Sequence, residues 1–239
     1  MRTSVVVTGG SRGIGKACVL AIAARGHSVV FSYLTGHESA KSVLVAVEEK
    51  GGRARAVQAD MASRVDVERL FATADEEGQL VGLVNNAGQT SDPGPFIDMS
   101  ANQIERIFDV NVIGAMDACR AAVRRMSTST EGGGIVNLTS QAATFGGNGI
   151  AAYAASKAAL QTFTVALARE VGCSNVRVNA VSPGMIETDM LPSTFRKATT
   201  GLPLGRLGTP GEVAAAVEWL LLDAPKYITG AVVPVAGAR

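Results

Sequence analysis

The stretch Tyr153-Ala154-Ala155-Ser156-Lys157, with Ser140 upstream, puts a phenol, an ammonium and a hydroxyl within reach of one substrate atom. That combination suits proton transfer. On a helix, Tyr153 and Lys157 are an i,i+4 pair on one face, so the lysine charge acts on the phenol. A free tyrosine ionises near pH ~10, and a neighbouring cation favours the phenolate, which moves the group toward general acid–base work near neutrality. A second chemical feature is Thr8-Gly9-Gly10-Ser11-Arg12-Gly13-Ile14-Gly15. Glycines at a strand-to-helix turn let a pyrophosphate approach free N–H groups at the positive end of a helix, a dinucleotide-binding arrangement. Gly9, Ser11, Arg12, Gly13, Ile14 and Gly15 are the expected contacts.

These groups need a scaffold, and the pattern of the chain supplies one. Short β-branched runs alternate with longer helical patterns, which points to βαβ units and a parallel sheet covered on both faces. Strands are predicted at Ser4–Thr8, Val29–Ser32, Ala54–Gln58, Leu83–Asn85, Ile135–Leu138, Val176–Ala180 and Ala231–Pro234. Helices are predicted at Gly15–Arg25, Glu38–Lys50, Val65–Glu77, Gln103–Met126, Ala151–Val171 and Glu212–Leu222. The expectation is an α/β Rossmann fold, a doubly wound seven-stranded parallel sheet forming a single domain over residues 1–239. The segment 184–209 fits neither pattern. It carries Pro192, Pro203, Gly201, Gly205 and Gly208 among apolar Met185, Met190, Leu191, Phe195 and Leu202, and is expected to act as a flap over the C-terminal edge of the sheet.

An NAD site usually has an acid at the end of the second strand to hold the ribose 2′-hydroxyl. Here that region reads Phe31-Ser32-Tyr33-Leu34-Thr35, with Tyr33 as the expected contact. Arg12 suits a 2′-phosphate, with Ser11, Ser32, Thr35 and His37 as further donors, so NADP (NADPH) is expected over NAD.

Composition narrows the partners. A net charge of +1 over 239 residues gives no electrostatic basis for nucleic-acid or membrane-surface binding, and no apolar run is long enough to span a bilayer. Met1-Arg2-Thr3 leads directly into the first strand without a signal-peptide core. Cys18, Cys119 and Cys173 form no spaced cluster. They read as buried free thiols in a reducing cytoplasm, with no metal site expected. His27 reads as a surface turn residue, and the lone Trp219 as core or subunit contact.

Several motifs in register make the chain resemble the single-domain branch of the short-chain dehydrogenase/reductase family over essentially its whole length. Besides the glycine turn these are Asp60-Met61, Asn85-Asn86-Ala87-Gly88, Asn111-Val112-Ile113-Gly114, Ser140, Tyr153 with Lys157, and Pro183-Gly184 followed by Thr188. The resemblance implies that Tyr153 is the acid in carbonyl reduction or the base in alcohol oxidation. Ser140 would hold the substrate oxygen, Lys157 would bind the nicotinamide ribose and lower the tyrosine pKa, and Asn111 would anchor a relay water. It places Asp60 and Met61 beside the adenine, Asn85, Ala87 and Gly88 along the cofactor, and Pro183, Gly184, Ile186 and Thr188 toward the carboxamide end. It also implies a homodimer or homotetramer.

Gln141, Phe145 and Met185 are the principal expected substrate contacts, with Thr144, Gly146, Asn148, Gln89, Thr90, Met190 and Leu191 around them. This mixture suits a neutral carbonyl or alcohol compound, and the pattern is similar to 3-oxoacyl-acyl-carrier-protein reductases and glucose dehydrogenase-like members. A carrier protein would call for a basic patch, for which Arg124 with Arg125 and Arg196 with Lys197 are candidates. The alternative from another class is an NADP-binding sensor without turnover, which would not need the intact Asn111, Ser140, Tyr153 and Lys157 set.

Overall fold

A computed structural model describes residues 2–191 and 201–238. Pro192, Phe195, Arg196 and Lys197, which figured in the flap and carrier-protein expectations, lie outside the described residues. The strands are β1 (Thr3–Val7), β2 (Ser28–Tyr33), β3 (Arg53–Gln58), β4 (Gln79–Asn85), β5 (Gly133–Leu138), β6 (Val176–Pro183) and β7 (Val232–Val235). They form one parallel sheet in the order β3-β2-β1-β4-β5-β6-β7. The helices are α1 (Gly13–Ala24), α2 (His37–Glu48), α3 (Arg64–Glu77), α4 (Ala101–Phe108), α5 (Ala115–Met126), the short α6 (Ala142–Phe145), α7 (Ala151–Val171) and α8 (Pro210–Glu218).

Strand alternation builds two cores. Val5, Val7, Val29, Phe31 and Val181 face one side, where Cys18, Val19 and Ile22 of α1, Val43 and Val47 of α2, and Val213 and Val217 of α8 cover them. Val6, Val30, Leu83, Ile135 and Val178 face the other, under Leu70 and Phe71 of α3, Ala118 and Met126 of α5, and Val171 of α7. Each such buried side chain contributes roughly 1.5–3 kcal/mol, which explains why the central strand β1 carries the uninterrupted apolar run Val5-Val6-Val7.

Four expectations change. The run Gln103–Met126 is not one α-helix: it starts at Ala101 and passes through a π-helical turn at Asp109–Gly114 between α4 and α5. β4 begins at Gln79, opposite Thr3 of β1; the β1–β4 register shifts between Ser4 and Val5, and at Gly82, where a side chain would crowd Leu221 and Val5, the glycine hides the strand pattern. Cys173 is exposed, since it falls in the 3-10 turn Gly172–Ser174 just beyond α7, whereas Cys18 and Cys119 are buried as expected. Trp219 is 43% exposed and so is not a core residue. Among the described residues no helix is long and apolar enough to cross a membrane, and no group of His, Cys, Asp and Glu could hold a metal ion.

Candidate active site

In this strand order the chain reverses direction across the sheet between β1 and β4, which leaves a crevice at their C-terminal ends. Two loops meet there and are stitched together. The Thr8 hydroxyl accepts from the backbone N–H groups of Asn86 (3.0 Å) and Ala87 (2.9 Å), while the Asn86 amide donates to the carbonyls of Thr8 (3.0 Å) and Gly9 (2.9 Å). A side chain at Gly15 would collide with the Gly9 carbonyl, and Gly9 and Gly13 adopt φ of 67° and 53°, a region that favours glycine. The N-terminus of α1 has no side-chain cap and no acid in its first turn. It therefore presents an open positive end, and the residues fit a pyrophosphate.

Ser140, just after β5, and Tyr153, in the first turn of α7, are neighbours, and the Ser140 hydroxyl accepts from Ala142 N–H at 3.1 Å. Burial raises the Tyr153 pKa above its ordinary value, and the influence of the Ser140 hydroxyl only partly offsets this. The expected lowering by Lys157 does not appear in this structure. The Lys157 ammonium sits 5.8 Å from the Tyr153 ring centroid and donates to the Leu138 carbonyl at 2.8 Å. Lys157 is itself 4% exposed, and burial pushes its pKa down to about 8. Both groups are thus biased toward their neutral forms.

Asn111 lies inside the π-helical turn and is fully buried. Its Nδ2 donates to the Gln89 carbonyl (2.9 Å) and the Ser156 hydroxyl (2.9 Å), and its Oδ1 accepts from the Gln89 N–H at 2.7 Å. Ser156 in turn donates to the Tyr153 carbonyl at 2.7 Å. A Cβ placed on Gly88 would lie 3.3 Å from the Lys157 ammonium and 3.4 Å from Asn111 Oδ1, so this glycine keeps the face of both groups open.

A sequence-family model described as enoyl-(acyl carrier protein) reductase matches residues 9–237. The chain is 40% identical to a 3-oxoacyl-[acyl-carrier-protein] reductase of Synechocystis sp., over 94% of this chain and 92% of the relative. It is 37% identical to the uncharacterized oxidoreductase YgfF of Escherichia coli, over 98% of each. A double Phe-to-Leu variant of a Serratia marcescens short-chain dehydrogenase/reductase superposes with a TM-score of 0.91 at 33% identity, covering 99% of this chain and 97% of that one. The chain belongs to the short-chain dehydrogenase/reductase family. It is an NAD(P)-dependent oxidoreductase acting on CH–OH or C=O groups.

The remaining residues expected of a short-chain dehydrogenase/reductase fall around this crevice in different states. Arg12 is exposed and makes no ion pair among the described residues. Ser11 is buried in the turn. Ser32 is not a free donor for ligand: its hydroxyl accepts from Gly9 N–H at 3.0 Å and points to Met61 sulfur at 3.5 Å. Tyr33 is tied to His37 through a 3.0 Å hydrogen bond. Asn85 is buried under the crevice, donating to Asn137, Cys119 and the Ala115 carbonyl. Gly184 donates its N–H to Val235 at 3.0 Å, and Ile186 bridges Gly208, closing the base of the 184–209 segment. A Cβ on Gly13 would lie 3.3 Å from the Thr188 methyl, which places Thr188 over the glycine turn.

Of the substrate candidates, Phe145 is 73% exposed on α6, and Met185 is half-buried at the base of that segment. Gln141 instead turns its amide to the Ser182 hydroxyl (2.9 Å), so it braces β5 against β6. Sequence reasoning missed Ser156, the Gln89 backbone and the Leu138 carbonyl. Ser156 stood inside the singled-out pentapeptide, whereas the two backbone groups leave no side-chain signal.

Proposed function

We propose that this enzyme is an NADPH-dependent carbonyl reductase, or an alcohol dehydrogenase in reverse, with Tyr153 as general acid and base. The observation that carries it is the buried Lys157 ammonium 5.8 Å from the Tyr153 ring centroid, with the Ser140 hydroxyl beside the phenol, at the edge of the same crevice as the open N-terminus of α1. Gly9, Ser11, Gly13, Ile14 and Gly15 form the pyrophosphate cradle, and Arg12 receives the 2′-phosphate. Asp60 and Met61 flank the adenine, Asn85, Ala87 and Gly88 line the crevice, and Pro183, Gly184, Ile186 and Thr188 border its far end. The cofactor, when bound, supplies the hydride. Ser140 orients the substrate oxygen, and Tyr153 gives that oxygen its proton. A raised phenol pKa keeps the proton on Tyr153 until a negative charge develops beside it. Lys157, held by Leu138 and facing the open side of Gly88, is placed to meet ribose hydroxyls. With both Asn111 amide protons committed, a relay water held by Asn111 would be received at an oxygen.

In the same proposal residues 1–239 form a single cytoplasmic domain, 184–209 serves as the substrate flap, and the chain assembles as a homodimer or homotetramer. The 3-oxoacyl-acyl-carrier-protein reductase reading draws on the Synechocystis relative. It has less local support, because Arg125 is already paired with Asp75 at 2.9 Å and lies 5.3 Å from the Phe71 ring centroid. The test is NADPH oxidation across acyl thioesters, sugar-derived ketones, quinones and simple aldehydes, with Tyr153→Phe alongside. Turnover of one class that falls about 10²-fold or more in the variant, with NADPH binding kept, is the expected result. Near-normal turnover in Tyr153→Phe refutes the assignment.

A further inference from the structure

Tyr153 sits on a helical turn that its own sequence does little to hold. Ile150, at the N-cap of α7, makes no side-chain cap, and the first turn holds no acid. The chain enters that turn through Gly146-Gly147-Asn148-Gly149, where the backbone has most freedom. A helix end with its N–H groups uncapped is the part that frays. What holds it comes from outside the helix. Ser156 is fully buried, and its hydroxyl accepts from Asn111 Nδ2 at 2.9 Å while donating to the Tyr153 carbonyl at 2.7 Å. Asn111 is fixed on its other side by the Gln89 carbonyl at 2.9 Å and the Gln89 N–H at 2.7 Å. A serine hydroxyl has one proton, and here it is committed to the main chain of Tyr153, while a lone pair is committed to the π-helical turn.

Helix formation alone does not account for a serine at this position. Ala154, Ala155, Ala158 and Ala159 flank it in sequence, and alanine is the better helix former. A serine that bonds back to the carbonyl of an earlier turn slightly destabilises a helix and bends it. We infer that Ser156 is a positioning residue: its hydroxyl clamps the first turn of α7 to the π-helical turn and so fixes where the Tyr153 phenol is presented. The inference rests on the role of Tyr153 proposed above. Displacing a reacting group by about 1 Å costs on the order of 10²-fold in rate, so a loosened turn shows in kcat before it shows in cofactor affinity.

The test compares Ser156→Ala, Ser156→Thr and Ser156→Val with wild type. Threonine keeps the hydroxyl and adds a methyl, whereas valine has nearly the same shape without the hydroxyl, so this pair separates hydrogen bonding from packing. Each protein is measured for NADPH-linked turnover of the same acyl thioesters, sugar-derived ketones, quinones and aldehydes, with Tyr153→Phe as control. NADPH affinity is read by calorimetry, and deuterium uptake is followed over residues 154–158 and 160–171, with thermal melting alongside. Ser156→Ala and Ser156→Val are expected to lose about tenfold or more in kcat with NADPH affinity within about twofold of wild type. Their exchange rises about tenfold over 154–158 and stays unchanged over 160–171. Ser156→Thr keeps kcat within about threefold of wild type, with wild-type exchange. Undiminished kcat in Ser156→Ala overturns the inference, as does a lowered melting temperature accompanied only by uniform exchange. A threonine variant that melts like wild type yet turns over no better than the valine variant also overturns it. Absence of Tyr153-dependent turnover in wild type refutes the role of Tyr153 itself, a distinct result, and exchange over 154–158 then still decides whether Ser156 clamps the turn.

Discussion

Lys157→Met is expected to abolish turnover and yet stabilise the ligand-free protein. Burial lowers the Lys157 pKa from 10.5 to about 8, and desolvation is its only cause. That fall corresponds to about 3 kcal/mol of penalty on the charged form. Methionine, similar in length and apolar, removes the penalty. It also leaves the Leu138 carbonyl without its 2.8 Å donor, which costs about 1–3 kcal/mol. The net gain near pH 7 is then on the order of 1 kcal/mol, or about 2–4 °C for a chain of this size. The pH dependence separates this from simple repacking. Below pH 8 the lysine is protonated in both folded and unfolded states, and the folded state bears the whole penalty. Between about 8 and 10.5 the folded lysine is neutral while the unfolded one still holds its proton. The unfolded state binds more protons there, so wild-type stability rises with pH and the gap to the variant closes. Urea melts of both proteins at pH 7 and pH 9.5 read this out. A variant less stable than wild type at pH 7, with a difference that stays constant at pH 9.5, would refute the reasoning.

Two further outcomes are expected. Arg12→Ala should weaken NADPH binding about tenfold while changing NADH binding less than about twofold, as for the loss of one charge-assisted phosphate contact. A competitive fluorescence titration checks this, and equal weakening of both cofactors excludes a 2′-phosphate role. Thr164→Val removes the acceptor of Asn137 Nδ2 (2.9 Å) inside the buried Asn85–Asn137 network. It should cost about 1–3 kcal/mol in chemical denaturation with turnover at saturating substrate nearly unchanged. A loss below about 0.5 kcal/mol means that the network tolerates the gap.

What was legible in the sequence follows from which forces are local. Val5-Val6-Val7 declares a strand covered on both faces, and it is one. The Tyr153–Lys157 spacing has chemical meaning only on a helix, and α7 runs from Ala151 to Val171 as its pattern predicts. The π-helical turn was not legible because its one-residue offset leaves α4 and α5 each with ordinary helical spacing, so the joined pattern reads as one helix. The Tyr153 pKa went the other way for a related reason. Sequence spacing shows a cation one turn away, but desolvation is set by everything packed around the phenol, and Lys157 is drawn off by a backbone carbonyl from β5. Asn111 and Ser156 lie 45 residues apart on elements with no shared periodicity, so nothing short of the fold could pair them.

These ties also explain how one crevice can hold groups that the fold alone would disfavour. Thr8 joins the glycine turn to the Asn86 loop, Asn111 joins the π-helical turn to Gln89 and to the helix of Tyr153, and Lys157 joins α7 to the end of β5. Thr8 and Asn111 are largely or wholly buried, uncharged and hydrogen-bonded to the segments they join, so they fix geometry without a charge penalty. Lys157 is the exception, because it meets the same demand for position with a buried charge and, among the described residues, no carboxylate paired with it. A residue that serves only the fold would not keep that penalty. The cost of Lys157 is therefore itself an argument that its ammonium acts on a ligand, and it is why the Lys157→Met melt at two pH values tests the active site even before a substrate is known.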